Sequence, residues 1–377
     1  MREAGRRGIG RRCGKVHVMK TPFDRRRFLA LSAGLSAAAL ARPSLAQRDT
    51  QPQEGPPGDD PRPGPVAIAS ANGLATVRLA RRLMADGADP AVAAVDGVAI
   101  VEADPSDRTV GLGGLPNEDG VVQLDAAVMH GPTHKAGGVA ALERTIHAAG
   151  VALKVLQTTD HVLLVGSGAT RFARLNGFPE AELLTDAARE SWLNWKRGLS
   201  TGDDWLGQDQ MDWNTAGTEP VERTDGTIHC SCVTAGGDLG CCTTTSGLSY
   251  KIPGRVGDSP LVGCGLFCDN ETGSAGCTGR GESAIQNLAA FSAVERMAGG
   301  LTPTEACLDV LQRVAQRSVK QRRLRTEDGR PNFGLKIYAV RKDGAYGCAA
   351  MYRGARFAVA DAQGARLENA AFRYEGR

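Results

Sequence analysis

The chain has 377 residues, 42% hydrophobic and 5% aromatic, which fits a soluble globular body of one large or two small domains and excludes a fibrous or mainly disordered chain. Its formal net charge of +3 is unevenly spread: residues 1–46 hold eleven Lys/Arg and two Asp/Glu, and the remainder holds 34 basic against 40 acidic residues. That mildly acidic body carries no electrostatic footprint for nucleic acid or an anionic membrane surface.

The basic head reads as a targeting segment. Asp24-Arg25-Arg26-Arg27-Phe28-Leu29 sets an arginine pair before an apolar run from Phe28 to Leu40, and Ser44-Leu45-Ala46 offers a small-residue cleavage site. This order matches a twin-arginine export signal over residues 1–46, which predicts a periplasmic or secreted protein. The run is too short, and too rich in Ala, Gly and Ser, for a membrane anchor, which takes about 20 residues. Residues 47–65, dominated by Pro, Gly, Asp and Gln, predict a flexible linker.

Val66–Ser70 predicts a buried strand, and Leu74–Ala85 shows helical spacing. Asp89-Pro90 opens the next helix with an N-cap residue and proline in the first turn. Thr109–Leu112 and Val121–Met129 read as strands, Gly138–Thr158 as a helix and His161–Val165 as a buried strand. Thr170–Leu175 and Thr185–Arg197 read as helices, whereas Leu199–Asp225 shows no period and is long for a structureless loop. From Thr227 the pattern changes. Thr227–Val233 and Leu239–Thr245 form a hairpin about Ala235-Gly236-Gly237-Asp238. Glu282–Ala298 reads as a helix, and Thr302-Pro303-Thr304-Glu305 opens another with a capping box. Leu335–Arg341 and Gly347–Tyr352 predict a hairpin, with one more near the C-terminus. Together these elements predict an α+β architecture with helices on both faces of two stacked sheets.

The densest run of unusual residues is Asp225–Glu282. Breaking the Gly226–Thr227 bond would give Thr227 a hydroxyl nucleophile and a free α-amine, and an α-amine with an ordinary pKa of about 7.7–8.0 serves as a base near neutral pH. The run Thr243-Thr244-Thr245, otherwise only a β-prone strand, can lie beside Thr227 and donate to its hydroxyl. Arg255 and Asp258, in a Gly-rich stretch, suit the α-carboxylate and α-amine of an aspartyl group; the plainer reading is a loop ion pair between them. Thr278-Gly279 offers a hydroxyl and a backbone N–H to a developing oxyanion, although Thr-Gly is also common in turns.

Thr227, Thr245, Arg255, Asp258 and Thr278-Gly279, in this order and spacing, resemble the glycosylasparaginase branch of the asparaginase-type N-terminal nucleophile hydrolases. The stretch Tyr250-Lys251-Ile252-Pro253-Gly254-Arg255-Val256-Gly257-Asp258-Ser259-Pro260 carries the likeness most specifically, and it extends from about Val66 to about Leu367. The resemblance implies a four-layer αββα sandwich, self-cleavage into an α chain (66–226) and a β chain (227–377), and hydrolysis of the β-aspartyl amide bond of N4-(β-N-acetylglucosaminyl)-L-asparagine or similar asparagine derivatives through a threonine ester. It implies Thr227 as nucleophile, Thr245 as its tuning partner, Arg255 and Asp258 on the aspartyl group, and Thr278 with Gly279 as oxyanion hole and substrate contact. No motif suggests a redox or nucleotide cofactor, and a homo-oligomer of cleaved protomers is the expected assembly. Three positions depart from the branch. Gly226 stands where an Asp is usual, as in isoaspartyl peptidase/L-asparaginases; Ala71 replaces a Trp near the first strand; His229 replaces a Gly two residues after the nucleophile.

Nine cysteines follow the leader, an odd count that leaves at least one unpaired within a monomer. Cys230 and Cys232 share a strand face while Cys241 and Cys242 point oppositely, which favours packing over a zinc site. The competing functions are an isoaspartyl peptidase/L-asparaginase and, in another class, a non-catalytic exported binding protein that would run as one uncut chain.

Overall fold

The computed structural model describes residues 58–197 and 226–376, so the expected export signal and the stretch Leu199–Asp225 lie outside the described residues. Two sheets organise the body. The larger has eight strands: β1 (Val66–Ser70), β2 (Leu124–His130), β3 (Lys135–Leu142), β4 (Leu163–Val165), β5 (Ile228–Val233), β6 (Leu239–Thr245), β11 (Arg356–Asp361) and β12 (Gly364–Asn369), in the order β12-β11-β1-β5-β6-β2-β3-β4. The smaller has five: β7 (Leu266–Asp269), β8 (Gly273–Gly279), β9 (Leu335–Arg341), β10 (Tyr346–Tyr352) and β13 (Ala371–Tyr374), in the order β13-β10-β9-β8-β7.

Side-chain alternation along these strands sorts the core into three clusters. On β5, Ile228, Cys230 and Cys232 join a cluster with Val77 of α1 (Leu74–Ala85), Val98 of α2 (Pro90–Glu102) and Val155 of α3 (Ala148–Thr158). A second cluster joins Cys277, Ile337 and Ala349 of the smaller sheet to Val294 of α7 (Ala289–Ala298) and Leu311 of α8 (Pro303–Ser318). The third contains residues of both sheets, among them Ile68, Met129, Cys241, Leu266, Tyr338 and Tyr346. Cys241 and Cys242 therefore fall into different clusters. All nine described cysteines are buried free thiols, and no group of three or more His, Cys, Asp or Glu among the described residues is placed to hold a metal ion.

Helix starts follow their local signals. The Asp89 carboxylate accepts from the backbone N–H groups of Ala91 and Val92, with Pro90 in the first turn, and Thr302 with Glu305 closes a reciprocal capping box. The hairpins also form, with Gly237, Gly344 and Gly364 at positive φ in their turns.

Several expectations are corrected. Gly138–Thr158 is not one helix: it divides into β3 and α3. α3 lies so close over the strand that a Cβ on Gly137 would sit 2.3 Å from the Ala152 carbonyl oxygen. Thr109–Leu112 is a turn, because Gly111 at φ 57° lets Leu112 N–H donate to the Glu102 carbonyl. β4 is an edge strand with Leu163 and Val165 exposed. Leu288, at φ 48°, breaks the expected Glu282–Ala298 helix into α6 (Gly281–Asn287) and α7. Residues 58–65, the end of the expected linker, lie along the body: Tyr346 N–H donates to the Gly58 carbonyl and Thr304 N–H to the Asp59 carboxylate.

The approach of α2 to β6 gives a stability test. A Cβ on Gly240 would stand 2.3 Å from the Ala91 nitrogen. Gly240→Ala is expected to lower unfolding free energy by about 1–3 kcal/mol in urea titration; an unchanged midpoint would contradict this packing.

Candidate active site

The site starts where β5 begins. Thr227 precedes Ile228, and β5 pairs with β6 so that Ile228 faces Thr244, which brings Thr245 beside Thr227. The Thr227 hydroxyl lies 3.2 Å from Thr245 Oγ1, and the Thr245 hydroxyl donates to the Gly226 carbonyl at 2.8 Å. Thr245 has one proton to give, so with that donation Thr227 is the donor of the threonine pair, the reverse of the direction expected from sequence. The Gly247 N–H donates to Thr245 Oγ1 at 2.9 Å and fixes that oxygen from the other side.

Gly226 has a steric cause. A Cβ there would fall 1.9 Å from the Thr109 side chain, whose hydroxyl donates to the Asp107 carboxylate at 2.5 Å. The space that an aspartate side chain would need at 226 is already filled. Ser70 Oγ lies 3.2 Å from the Thr227 carbonyl oxygen, and Ala71 follows it in a short 3-10 turn.

A second group forms at the 250–258 loop. Arg255 does not pair with Asp258 as a loop ion pair. Its Nε and Nη2 donate to Glu282 Oε1 at 3.0 and 2.7 Å, so its Nε edge is taken by a carboxylate of α6. Asp258 is 5% exposed and its Oδ2 has no partner, while a Cβ on Gly281 would touch Oδ1 at 2.8 Å. Burial pushes the Asp258 carboxyl up to about 7 despite the opposing Arg255 charge. An enclosed carboxylate oxygen without a donor suits a ligand ammonium.

Asp125 links the groups. It sits opposite Thr245 in the β2–β6 pairing and acts electrostatically on both Arg255 and Asp258. Lys251, fully buried, donates to the carbonyls of Gln123 and Ser246 at 3.0 and 3.1 Å and stands 3.9 Å from Asp125. Burial lowers its pKa, against the pull of Asp125. Lys251 thus pins the turn that follows Thr245.

Thr278 is the penultimate residue of β8, and its Oγ1 lies 2.8 Å from the Tyr338 hydroxyl. Gly279 follows at φ 118°, where a Cβ would meet the Gly334 carbonyl at 2.5 Å. From there the chain runs through Arg280 to Gly281 against Asp258 and Glu282 against Arg255. His229 is buried, between Thr243 Oγ1 at 2.8 Å and Ser231 Oγ at 2.7 Å; burial holds its pKa down at about 3, so it is neutral.

Thr227, Thr245 and Gly226 expected from the sequence lie together, and Arg255, Asp258 and the Thr278-Gly279 turn meet near α6, whereas the sequence does not single out Asp125, Lys251, Glu282 and Tyr338 as their partners. Lys251 and Glu282 stand inside the motif runs; Tyr338, on β9, carries no local signal.

Residues 67–323 match the sequence model of the asparaginase family. The chain belongs to this family of N-terminal nucleophile amidohydrolases. It is similar to an N(4)-(β-N-acetylglucosaminyl)-L-asparaginase of Elizabethkingia miricola, 34% identical over 95% of this chain and 98% of that protein. It is also similar to the Rattus norvegicus protein of the same name, 37% identical over 58% of this chain and 68% of that one. A probable isoaspartyl peptidase/L-asparaginase of Arabidopsis thaliana is 30% identical over 75% of this chain and 83% of its own length.

Two outcomes follow. Thr245→Val removes the donor to the Gly226 carbonyl and should slow scission at Gly226–Thr227 by about 10²-fold in a gel time course; an unaltered rate would refute that role. Only ionised Asp258 holds an ammonium, so affinity for L-aspartate should rise with pH up to about 7, with roughly ten-fold loss per unit below it. Calorimetry showing constant affinity from pH 5 to 8 would contradict the assignment.

Proposed function

We propose that the chain is exported by the twin-arginine route to the periplasm or exterior, cuts itself before Thr227, and hydrolyses the β-aspartyl amide bond of N4-(β-N-acetylglucosaminyl)-L-asparagine or a close asparagine derivative. The observation that carries this reading is the Thr227 hydroxyl beside Thr245, with Thr245 donating to the Gly226 carbonyl. In self-cleavage Thr227 Oγ1 attacks the Gly226 carbonyl carbon, Thr245 steadies the developing oxyanion, and the C–N bond breaks as the nitrogen gains a proton. Water then hydrolyses the resulting ester, leaving a Gly226 carboxylate and a free Thr227 α-amine.

In turnover that amine takes the hydroxyl proton, Thr227 Oγ1 attacks the substrate's side-chain carbonyl, and Thr278 with Gly279 faces the oxyanion. The leaving amine departs with a proton, and water cleaves the β-aspartyl ester to aspartate. Arg255 takes the α-carboxylate and Asp258 the α-ammonium. The unpartnered Asp258 Oδ2 supports the latter role.

The three core clusters support a four-layer αββα order, with α chain 66–226 and β chain 227–377 sharing one domain. Export is supported by the paired arginines, apolar run and cleavage site within residues 1–46. No helix of the described residues is long and apolar enough to cross a membrane. Assembly of the cleaved protomers into a homo-oligomer belongs to the same proposal.

Isoaspartyl peptidase/L-asparaginase activity is the second reading, favoured by the filled space at Gly226 and by Ala71. Incubation with N-acetylglucosaminyl-asparagine, β-aspartyl dipeptides and asparagine ranks the two. The glycosylated substrate should show the highest kcat/KM, and Thr227→Ala should abolish all turnover. Turnover of dipeptides alone would overturn the first reading, and activity in Thr227→Ala would overturn both.

A further inference from the structure

His229 and Tyr338 belong to no role described so far, and both are wholly buried between the two sheets. Strand alternation turns Thr227, His229 and Ser231 of the β5 region toward the smaller sheet, where β8 presents Ser274, Gly276 and Thr278. Gly276 is the slot for the histidine: a Cβ there would stand 2.1 Å from His229 Nδ1. Gly276 also faces Tyr338 in the β8–β9 register, so the imidazole stacks near the phenol ring, with centroids 6.0 Å apart and planes inclined 17°. The imidazole is itself fixed from both nitrogens, by Thr243 and by Ser231, and Ser231 continues to Ser274 at 2.7 Å.

Tyr338 reaches diagonally across the ladder, from its place opposite Gly276, to put its hydroxyl 2.8 Å from Thr278 Oγ1. Among the described residues this is the one hydrogen-bond partner of the phenol. Two hydroxyls share one contact, so only one of them spends its proton there. The Tyr338 phenol is fully buried within the apolar cluster between the sheets, where an unmade donor is costly, so its proton is best spent on Thr278 Oγ1. Thr278 stands at the end of β8, where the chain turns to Asp258 and Arg255, so a ligand oxygen can receive its proton.

We infer that Tyr338 is a positioning residue for hydrolysis: its buried hydroxyl donates to Thr278 Oγ1 and so turns the Thr278 proton toward the substrate oxyanion, while His229 holds the phenol ring. This deepens the proposed function and rests on it. The arrangement gives His229 a use as a neutral wedge rather than as an acid or base, in keeping with an imidazole that burial keeps uncharged. It makes the histidine, Gly276 and the tyrosine one packing unit that serves the oxyanion side of the site.

The test is Tyr338→Phe in the full-length, self-processed enzyme. Processing should proceed as in the parent, because scission uses Thr245. For the best β-aspartyl amide, kcat should fall roughly ten-fold with KM within about two-fold, a smaller loss than the 10²–10³ of deleting an oxyanion donor. In a Thr278→Ala background the same change should cost nothing further, since the partner it orients is gone. Tyr338→Met, which fills the slot with a flexible apolar chain, should repeat the kcat loss and stands in if the Phe variant fails to fold. Parental kcat in either folded variant, or an equal loss with and without the Thr278 hydroxyl, would overturn the inference. A parent chain that never cuts itself would instead defeat the functional reading beneath it.

Discussion

The site depends on a single donated proton: the Thr245 hydroxyl points at the Gly226 carbonyl. That donation decides the rest of the local network. It leaves Thr227 as donor toward Thr245 and, in the proposed self-cleavage, would put the attacking hydroxyl next to the Gly226–Thr227 bond and a donor where the oxyanion first forms. The surroundings hold Thr245 in this pose through the Gly247 N–H and through the Lys251 ammonium on the following carbonyl. Thr109 closes the same space from the other side and leaves no room for any side chain at 226.

Around this point the two sheets divide the labour. The larger contributes Thr227 and Thr245, the proposed nucleophile and its tuning hydroxyl, from the β5–β6 hairpin. The smaller contributes Thr278 and Gly279 from the end of β8, and the loop between the hairpin and β7 contributes Arg255 and Asp258. Small residues make the contact between sheets feasible. Gly276 gives up its side-chain volume to His229, and Gly281 lets the β8–α6 turn lie against Asp258. The acid and base character of the site also comes from enclosure: burial lifts Asp258 to about 7 and depresses Lys251, while Glu282 keeps the Nε edge of Arg255 neutralised.

Much of this was legible in the sequence because it is local. The α2 start is written in Asp89-Pro90, the α8 start in Thr302 and Glu305, and the β5–β6 hairpin in its Gly-Gly turn. The motif residues Thr227, Thr245, Arg255, Asp258 and Thr278 were legible by spacing. What the sequence hid is non-local or steric. Gly138–Thr158 carries helix-compatible alanines, yet its first part pairs with β2, and only the closeness of α3 explains Gly137. Leu288 breaks a helix without any glycine or proline at that position to announce it. Glu282 and Tyr338 gain meaning only from Arg255, some 27 residues away, and Thr278, some 60 away.

Intact mass measurement of the purified, leader-free protein tests the account most directly. Two fragments are predicted, divided between Gly226 and Thr227, with the larger-numbered fragment beginning at a free Thr227 amine. A single uncut polypeptide that nevertheless hydrolyses β-aspartyl amides would contradict it.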